Sequence, residues 1–312
     1  MQKLNNKKSA ISNKIKIAFP ISPGHTACAG CGELLAIRTA MAALGPNVIV
    51  ANSTGCSEVT TTQYPMSSWG MPWIHSLFEN APAVASGILA ALKSKKKKGV
   101  KIIAQGGDGA TFDIGLGLLS GMWERGEDIL YICYDNEAYA NTGIQASGAT
   151  PYGADTTTTP AGKCAETSIC SCGSMQRKKD MLKIALAHNL NYVAQTTAGF
   201  PSDIEQKIKK AIATPGPAYI QIAVPCVPGW KIEPNKTVKI AKLAAQTGIY
   251  PAIEYINGEL TSALKIPRPQ KKVEEYLKLQ GRFSHLFKNS AGKKQIQNIQ
   301  KIADENIKKY NL

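Results

Sequence analysis

Short apolar runs alternate with amphipathic stretches along most of the chain. Residues 32–45 carry apolar side chains at helical spacing and stop at a glycine, which predicts a helix. The run 47–52 (NVIVAN) is apolar and β-branched, as in a strand buried on both faces. Residues 79–95 then predict a helix rich in small residues, 100–105 a strand, 111–126 a helix and 128–135 a strand. The alternation resumes with helix 181–190, strand 192–197, helix 202–216 and strand 218–226. Strands alternating with helices imply an α/β fold: a mainly parallel sheet flanked by helices on both faces. After Trp230 the pattern gives way to Pro- and Lys-rich sequence, then to two amphipathic segments, 273–287 and 293–310. The expected organisation is a basic N-terminal arm (1–20), an α/β body (21–230) and a C-terminal helical arm (231–312). That arm is expected to pack on the body or on a neighbouring subunit.

Composition adds limits. A hydrophobic content of 44% and a charged content of 19% suit a folded globular chain. No apolar run approaches the ~20 residues that span a bilayer, and the basic start lacks the apolar centre of a signal peptide. A cytoplasmic protein without membrane association is expected. The net charge of +15 invites a nucleic-acid reading. Its lysines, however, concentrate in the run 92–101 and at the chain ends, with no helix-turn-helix, paired zinc knuckle or aromatic-interleaved strand. Nucleic acid is therefore not an expected partner.

The most informative stretch is 106–143. Asp108 stands in a Gly-Asp-Gly turn where a predicted strand meets a predicted helix. Glycine lets backbone approach a phosphate there, and the helix N-terminus offers free N–H groups to it. Asp108 is a hard oxygen ligand suited to Mg²⁺. Asn136 follows at the end of the next predicted strand, with twenty-six residues between it and Gly109. A right-handed βαβ unit would put Asp108 and Asn136 on the same rim. This spacing resembles the signature of thiamine diphosphate enzymes, in which Asp and Asn hold Mg²⁺ and the diphosphate.

Eight cysteines in such a chain point to metal ligation or catalysis before disulfides. Cys28 and Cys31 form a C-x-x-C pair, while Cys56 and Cys226 each follow a predicted strand. A redox dithiol is disfavoured because the pair does not follow a strand. Spacing alone leaves zinc and an iron–sulfur cluster both open. Cys133 lies inside a strand and reads as a core residue. Cys164, Cys170 and Cys172 read as incidental thiols of a loop.

Five blocks in order, GHTACAGCGE, ANSTGCS, GGDGATFDIG, DNEAYANTGIQASGATPYGA and PCVPGW, resemble the β subunit of pyruvate:ferredoxin oxidoreductase. More broadly they are similar to the thiamine-diphosphate subunit of 2-oxoacid:ferredoxin oxidoreductases. The likeness runs from about residue 22 to 230. The resemblance implies [4Fe–4S] ligands at Cys28, Cys31, Cys56 and Cys226. It implies cofactor contacts at Gly107, Asp108, Gly109 and Ala110 and at Asn136, Glu137, Ala138, Tyr139, Ala140 and Asn141. Mg²⁺ would be held by Asp108, Asn136 and the Ala138 carbonyl. Glu33 and the backbone beside Cys56 would line the thiamine pocket, and Asn141 would face the substrate, with His75, Thr142 and Gln145 as weaker candidates. The implied reaction converts pyruvate and coenzyme A to acetyl-CoA and CO₂, with electrons passing to ferredoxin. The family's pyrimidine-binding α subunit, its γ subunit and a ferredoxin-like δ subunit are the implied partners, and the chain is expected to be inactive alone. The rivals are a sister enzyme for 2-oxoisovalerate or 2-oxoglutarate, a thiamine enzyme without a cluster, and a zinc-bearing nucleic-acid-binding module.

Overall fold

The computed structural model describes residues 20–161 and 173–312. Most of the N-terminal arm, and Cys164, Cys170 and Cys172, lie outside these residues. The strands are β1 (Val48–Asn52), β2 (Trp73–His75), β3 (Lys101–Gly107), β4 (Ile129–Asp135), β5 (Tyr192–Thr197), β6 (Ala218–Ala223), β7 (Ile253–Ile256) and β8 (Glu259–Ala263). They form one eight-stranded sheet in the order β2-β1-β3-β4-β6-β5-β7-β8. β1 to β6 are parallel, and β7 and β8 add an antiparallel edge.

Alternate side chains of the strands feed two cores. On one face Ile103, Leu130, Ile132 and Ile220 pack with Ile37 and Met41 of α1 (Gly32–Leu44). Ile204 and Ile208, from the helix Pro201–Ala213, complete that layer. On the other face Ile102, Tyr131, Cys133 and Tyr219 meet the helices Ala81–Ser94, Leu116–Glu124 and Met181–Ala187. Each fully buried Ile or Leu of this kind contributes ~1.5–3 kcal/mol. Numbered in chain order, the helices are α1, α2 (Cys56–Thr61), α3 (Ala81–Ser94), α4 (Leu116–Glu124), α5 (Met181–Ala187), α6 (Pro201–Ala213), α7 (Val227–Trp230), α8 (Thr237–Gln246), α9 (Val273–Leu277) and α10 (Ser290–Tyr310).

The segment expected as one helix over 111–126 divides. A π-helical turn spans Gly109–Ile114, directly after Asp108, and α4 begins beyond Gly115. Such wide turns recur at functional sites. A Cβ at Gly115 would lie 2.3 Å from the Ala110 carbonyl oxygen, so the tight junction requires glycine.

Beyond Trp230, where the sequence pattern offered no regular element before residue 273, the chain builds α8, β7 and β8. β7 pairs with β5, so the sheet continues past that point. The C-terminal segment folds onto its own body. Tyr276, Leu277, Phe283, Leu286, Ile299 and Ala303 share a third core with Trp230, Ile240 and Tyr250.

Candidate active site

β1, β3, β4 and β6 are successive neighbours and run the same way. The segments after their C-terminal ends therefore lie along one rim, where open α/β sheets bind ligands. Cys56 follows β1, Asp108 follows β3, Asn136 follows β4 and Cys226 follows β6.

Asp108 is buried, and its Oδ1 accepts the backbone N–H of Asn136 at 3.2 Å. Its Oδ2 accepts the Ser147 hydroxyl at 2.5 Å. Burial, and then the negative charge of Asp135, pushes its carboxyl well above the usual range, against the pull of Ser147. The tip of the Asn136 amide lies 2.7 Å from the Ala138 carbonyl oxygen and 3.1 Å from Asp108 Oδ1. With nitrogen at that tip, the amide donates to both. With oxygen there, it faces the Ala138 carbonyl oxygen and Asp108 Oδ1 with no donor between them, the Asn136 N–H to Asp108 aside, and a cation would satisfy all three. That second orientation leaves the amide nitrogen free to stabilise the Glu33 carboxylate. Burial pushes Glu33 up to about 7, and hydrogen bonds from Asn136 and the Ser57 backbone offset part of the rise.

A cleft of about 90 Å³ opens beside these groups. Glu33, Cys56, Gly107, Asp108, Gly109, Asn136, Ala138, Tyr139, Ala140 and Asn141 all line it. Two of the cofactor contacts implied by the resemblance do not. Ala110 is buried behind the rim, and Glu137 turns its side chain away to Lys178 and Arg282. Thr142 lines the mouth, where it exchanges hydrogen bonds with Gln145. His75 stands one residue further out, bonded through Nε2 to Thr54 Oγ1 at 2.7 Å and stacked on Trp73. Thr54, which lies in the ANSTGCS block but was given no role there, and Phe78, which carried no sequence signal, also line the cleft. Phe78 meets Tyr139 edge to face, and a Cβ at Gly109 would lie 2.4 Å from the Tyr139 ring. Glycine is what lets the helical N-terminus come this close to the cleft wall.

The four cysteines come together through backbone contacts. The Gly32 N–H donates to the Pro225 carbonyl, and the Thr26 N–H to the Thr60 carbonyl in α2. Gly30, at φ +75°, sits against the Pro234 backbone, where a Cβ would lie 2.4 Å from the carbonyl oxygen. Cys31 caps α1 and Cys226 caps α7, each accepting a backbone N–H, while Cys56 opens α2. Helix N-termini favour thiolates at such positions. In the thiol state, burial pushes Cys31 up to about 12 and Cys226 up to about 11, with Glu33 adding to each. Cys56 is raised further, by burial and then by Glu33, Cys226, Cys31 and Cys28. The four sulfurs thus lie within electrostatic range of one another. Among the described residues, no three His, Cys, Asp or Glu side chains are spaced to hold a single metal ion. Cys133 is buried in β4, as expected for a core residue.

A larger cavity, about 440 Å³, lies between α5, β7 and α10. Of the residues singled out from sequence it reaches only Glu137, and four of its lining cations are held in ion pairs, Arg177 with Glu305, Lys178 with Asp135 and Glu137, Lys179 with Asp113 and Lys183 with Asp180. The smaller cleft is therefore the candidate site.

Residues 53–222 match the family described as thiamine pyrophosphate enzyme, C-terminal TPP binding domain. The chain is 52% identical to the pyruvate synthase subunit PorB of Methanosarcina barkeri, over 94% of this chain and 97% of that protein. It is 44% identical to the ketoisovalerate oxidoreductase subunit VorB of Pyrococcus abyssi, over 85% of each. In structure it is similar to the 2-oxoglutarate:ferredoxin oxidoreductase of Magnetococcus marinus, with a TM-score of 0.56 and 25% identity over 72% of this chain and 79% of that one. The chain therefore belongs to the thiamine-diphosphate-binding subunits of the 2-oxoacid:ferredoxin oxidoreductases, a family that includes the pyruvate synthase PorB subunits.

Proposed function

We propose that this chain is the β subunit of a pyruvate:ferredoxin oxidoreductase. In this reading it holds the diphosphate of thiamine diphosphate through Mg²⁺ on Asp108, Asn136 and the Ala138 carbonyl. It also carries one [4Fe–4S] cluster on Cys28, Cys31, Cys56 and Cys226. The observation that supports it most is the convergence of three oxygens beside a helical N-terminus on the rim that also gathers four thiols. Neighbouring ligands of an octahedral ion at about 2.1 Å lie roughly 3 Å apart, and spacings of 2.7 and 3.1 Å match that.

The thiols are read here as cluster ligands because they come from separate segments, Cys28 and Cys31 before α1, Cys56 at the start of α2 and Cys226 before α7. Four sulfurs at about 2.3 Å from one zinc ion would lie within roughly 4 Å of each other. A cuboidal cluster binds each thiolate through a different iron and so fits a wider set. When bound, thiamine diphosphate supplies the carbon nucleophile and electron sink for decarboxylation, and the cluster takes electrons singly.

The chain's own residues arrange that chemistry. The turn that starts at Gly109, on the cleft wall, would offer its N–H groups to the diphosphate, and Phe78 and Tyr139 wall the cleft. Glu33, buried between the thiols and Asn136, borders both halves of the site. Asn141, exposed at the mouth, orients the 2-oxoacid. Coenzyme A is the acyl acceptor and ferredoxin the electron acceptor. The α subunit supplies the pyrimidine-binding domain, γ and δ subunits complete the complex, and the chain alone is inactive.

The VorB relative favours a second reading, a sister enzyme for branched 2-oxoacids. Anaerobic purification with iron, sulfide, zinc and thiamine analysis tests the cofactors, with about four irons per chain expected. Turnover of pyruvate, 2-oxoisovalerate and 2-oxoglutarate by the assembled complex decides the substrate.

A further inference from the structure

Glu137 sits between the two residues whose oxygens converge with Asp108, and its backbone is left-handed, at φ +67°. A side chain with a Cβ rarely adopts that region, and a non-glycine residue held there marks a backbone that its surroundings over-determine. Those surroundings are specific. Glu137 Oε2 accepts from Arg282 Nη2 at 2.6 Å, and Oε1 accepts from Lys178 Nζ at 2.9 Å, all three side chains being buried or nearly so. The Glu137 carbonyl accepts the Thr150 hydroxyl at 2.8 Å. The Arg282 guanidinium also lies 3.9 Å over the Trp230 ring, and Trp230 Nε1 donates to the Asn136 carbonyl at 2.7 Å. One arginine from the C-terminal segment therefore reaches the 136–138 turn twice, once by charge and once through an indole.

We propose that Arg282 is a positioning residue for the metal–diphosphate site, clamping the left-handed Glu137 so that Asn136 and the Ala138 carbonyl face Asp108. Arg282 does not line the cleft and acts only through Glu137 and Trp230. The inference rests on the Mg²⁺ reading of the preceding subsection. Lysine replaces the guanidinium only in part, because it lacks the planar face that stacks on Trp230 and the fork that meets a carboxylate.

The test measures thiamine diphosphate affinity by equilibrium dialysis in Mg²⁺, on the assembled complex. Arg282→Met should weaken affinity about 10- to 100-fold, the range for groups that orient metal ligands, and Arg282→Lys should recover part of the loss. Wild-type affinity in Arg282→Met, or equal loss in both variants, overturns the proposal. If Arg282→Met does not assemble, Glu137→Gln takes its place, with weakened affinity supporting the clamp and unchanged affinity overturning it. Asp108→Asn separates the two readings. If Asp108→Asn binds thiamine diphosphate like the wild type, the metal reading itself fails; if it loses binding while Arg282→Met does not, only the clamp fails.

Discussion

The backbone N–H of Asn136 donates to Asp108 Oδ1, so the end of one strand fixes the carboxylate at the end of its neighbour. The pairing of β3 with β4, Gly107 opposite Tyr134, sets that contact. The fold delivers the two residues to each other before any ligand arrives.

Asp108→Asn should separate stability from function. In the metal-free chain Asp108 is buried near Asp135, and the two carboxylates oppose each other. Removing its charge should leave the melting temperature of the metal-free protein unchanged or higher. Thiamine diphosphate affinity should fall by more than the ~10–100-fold typical of an outer group. Calorimetry without Mg²⁺, paired with dialysis in its presence, reads both.

Cys226→Ala should abolish a normal cluster. Iron and sulfide per chain should drop well below half the wild-type content, with loss of the broad visible absorbance. Thiamine diphosphate binding should persist, because Cys226 does not line the cleft. Retention of full iron by the variant would remove Cys226 from the ligand set.

Gly30→Ala tests the cluster loop without touching a ligand. The added methyl would meet the Pro234 backbone, at a φ that favours glycine. Cluster content should fall as it does for a lost cysteine, while circular dichroism stays close to wild type. Full cluster occupancy in Gly30→Ala would show that the loop can shift freely.

Asp155 predicts a pH effect on stability. Burial alone would raise its carboxyl, but Lys231 at 2.7 Å and the Ala161 N–H outweigh it and hold it below the usual range. A folded pKa below the unfolded one gives stability that is present above about pH 4 and is lost as pH falls through the folded value. Asp155→Asn should lower the urea midpoint at pH 7 and converge with wild type as pH drops below that window. A constant gap at all pH values would assign the loss to packing.

What could be read in the sequence was local. Asp108 and Asn136 each end an apolar run, and parallel pairing of two such runs makes their proximity a matter of topology. Cys56 and Cys226 follow the same logic. The hairpin β7–β8 escaped because its second strand, Glu259–Ala263, is mostly exposed and has no buried face to show a period. α8 was hidden by its lysines, although Ile240, Leu243 and Ala244 lie on a buried stripe. Glu137 drew attention for its place in the motif, yet its partners Lys178 and Arg282 lie 41 and 145 residues downstream. No periodicity links residues so far apart. Phe78 and Thr54 entered the cleft by shape alone.

Arg282 meets Glu137 across 145 residues, and Cys226 joins three cysteines that all precede residue 57. During synthesis the ribosome therefore releases the glycine turn and the first three thiols long before either site can close. A nascent or truncated chain lacks the last thiol, the clamp or both. In the reading proposed above, the site is therefore assembled from segments far apart in the chain, and a chain cut before residue 226 holds neither the fourth thiol nor the arginine that meets Glu137.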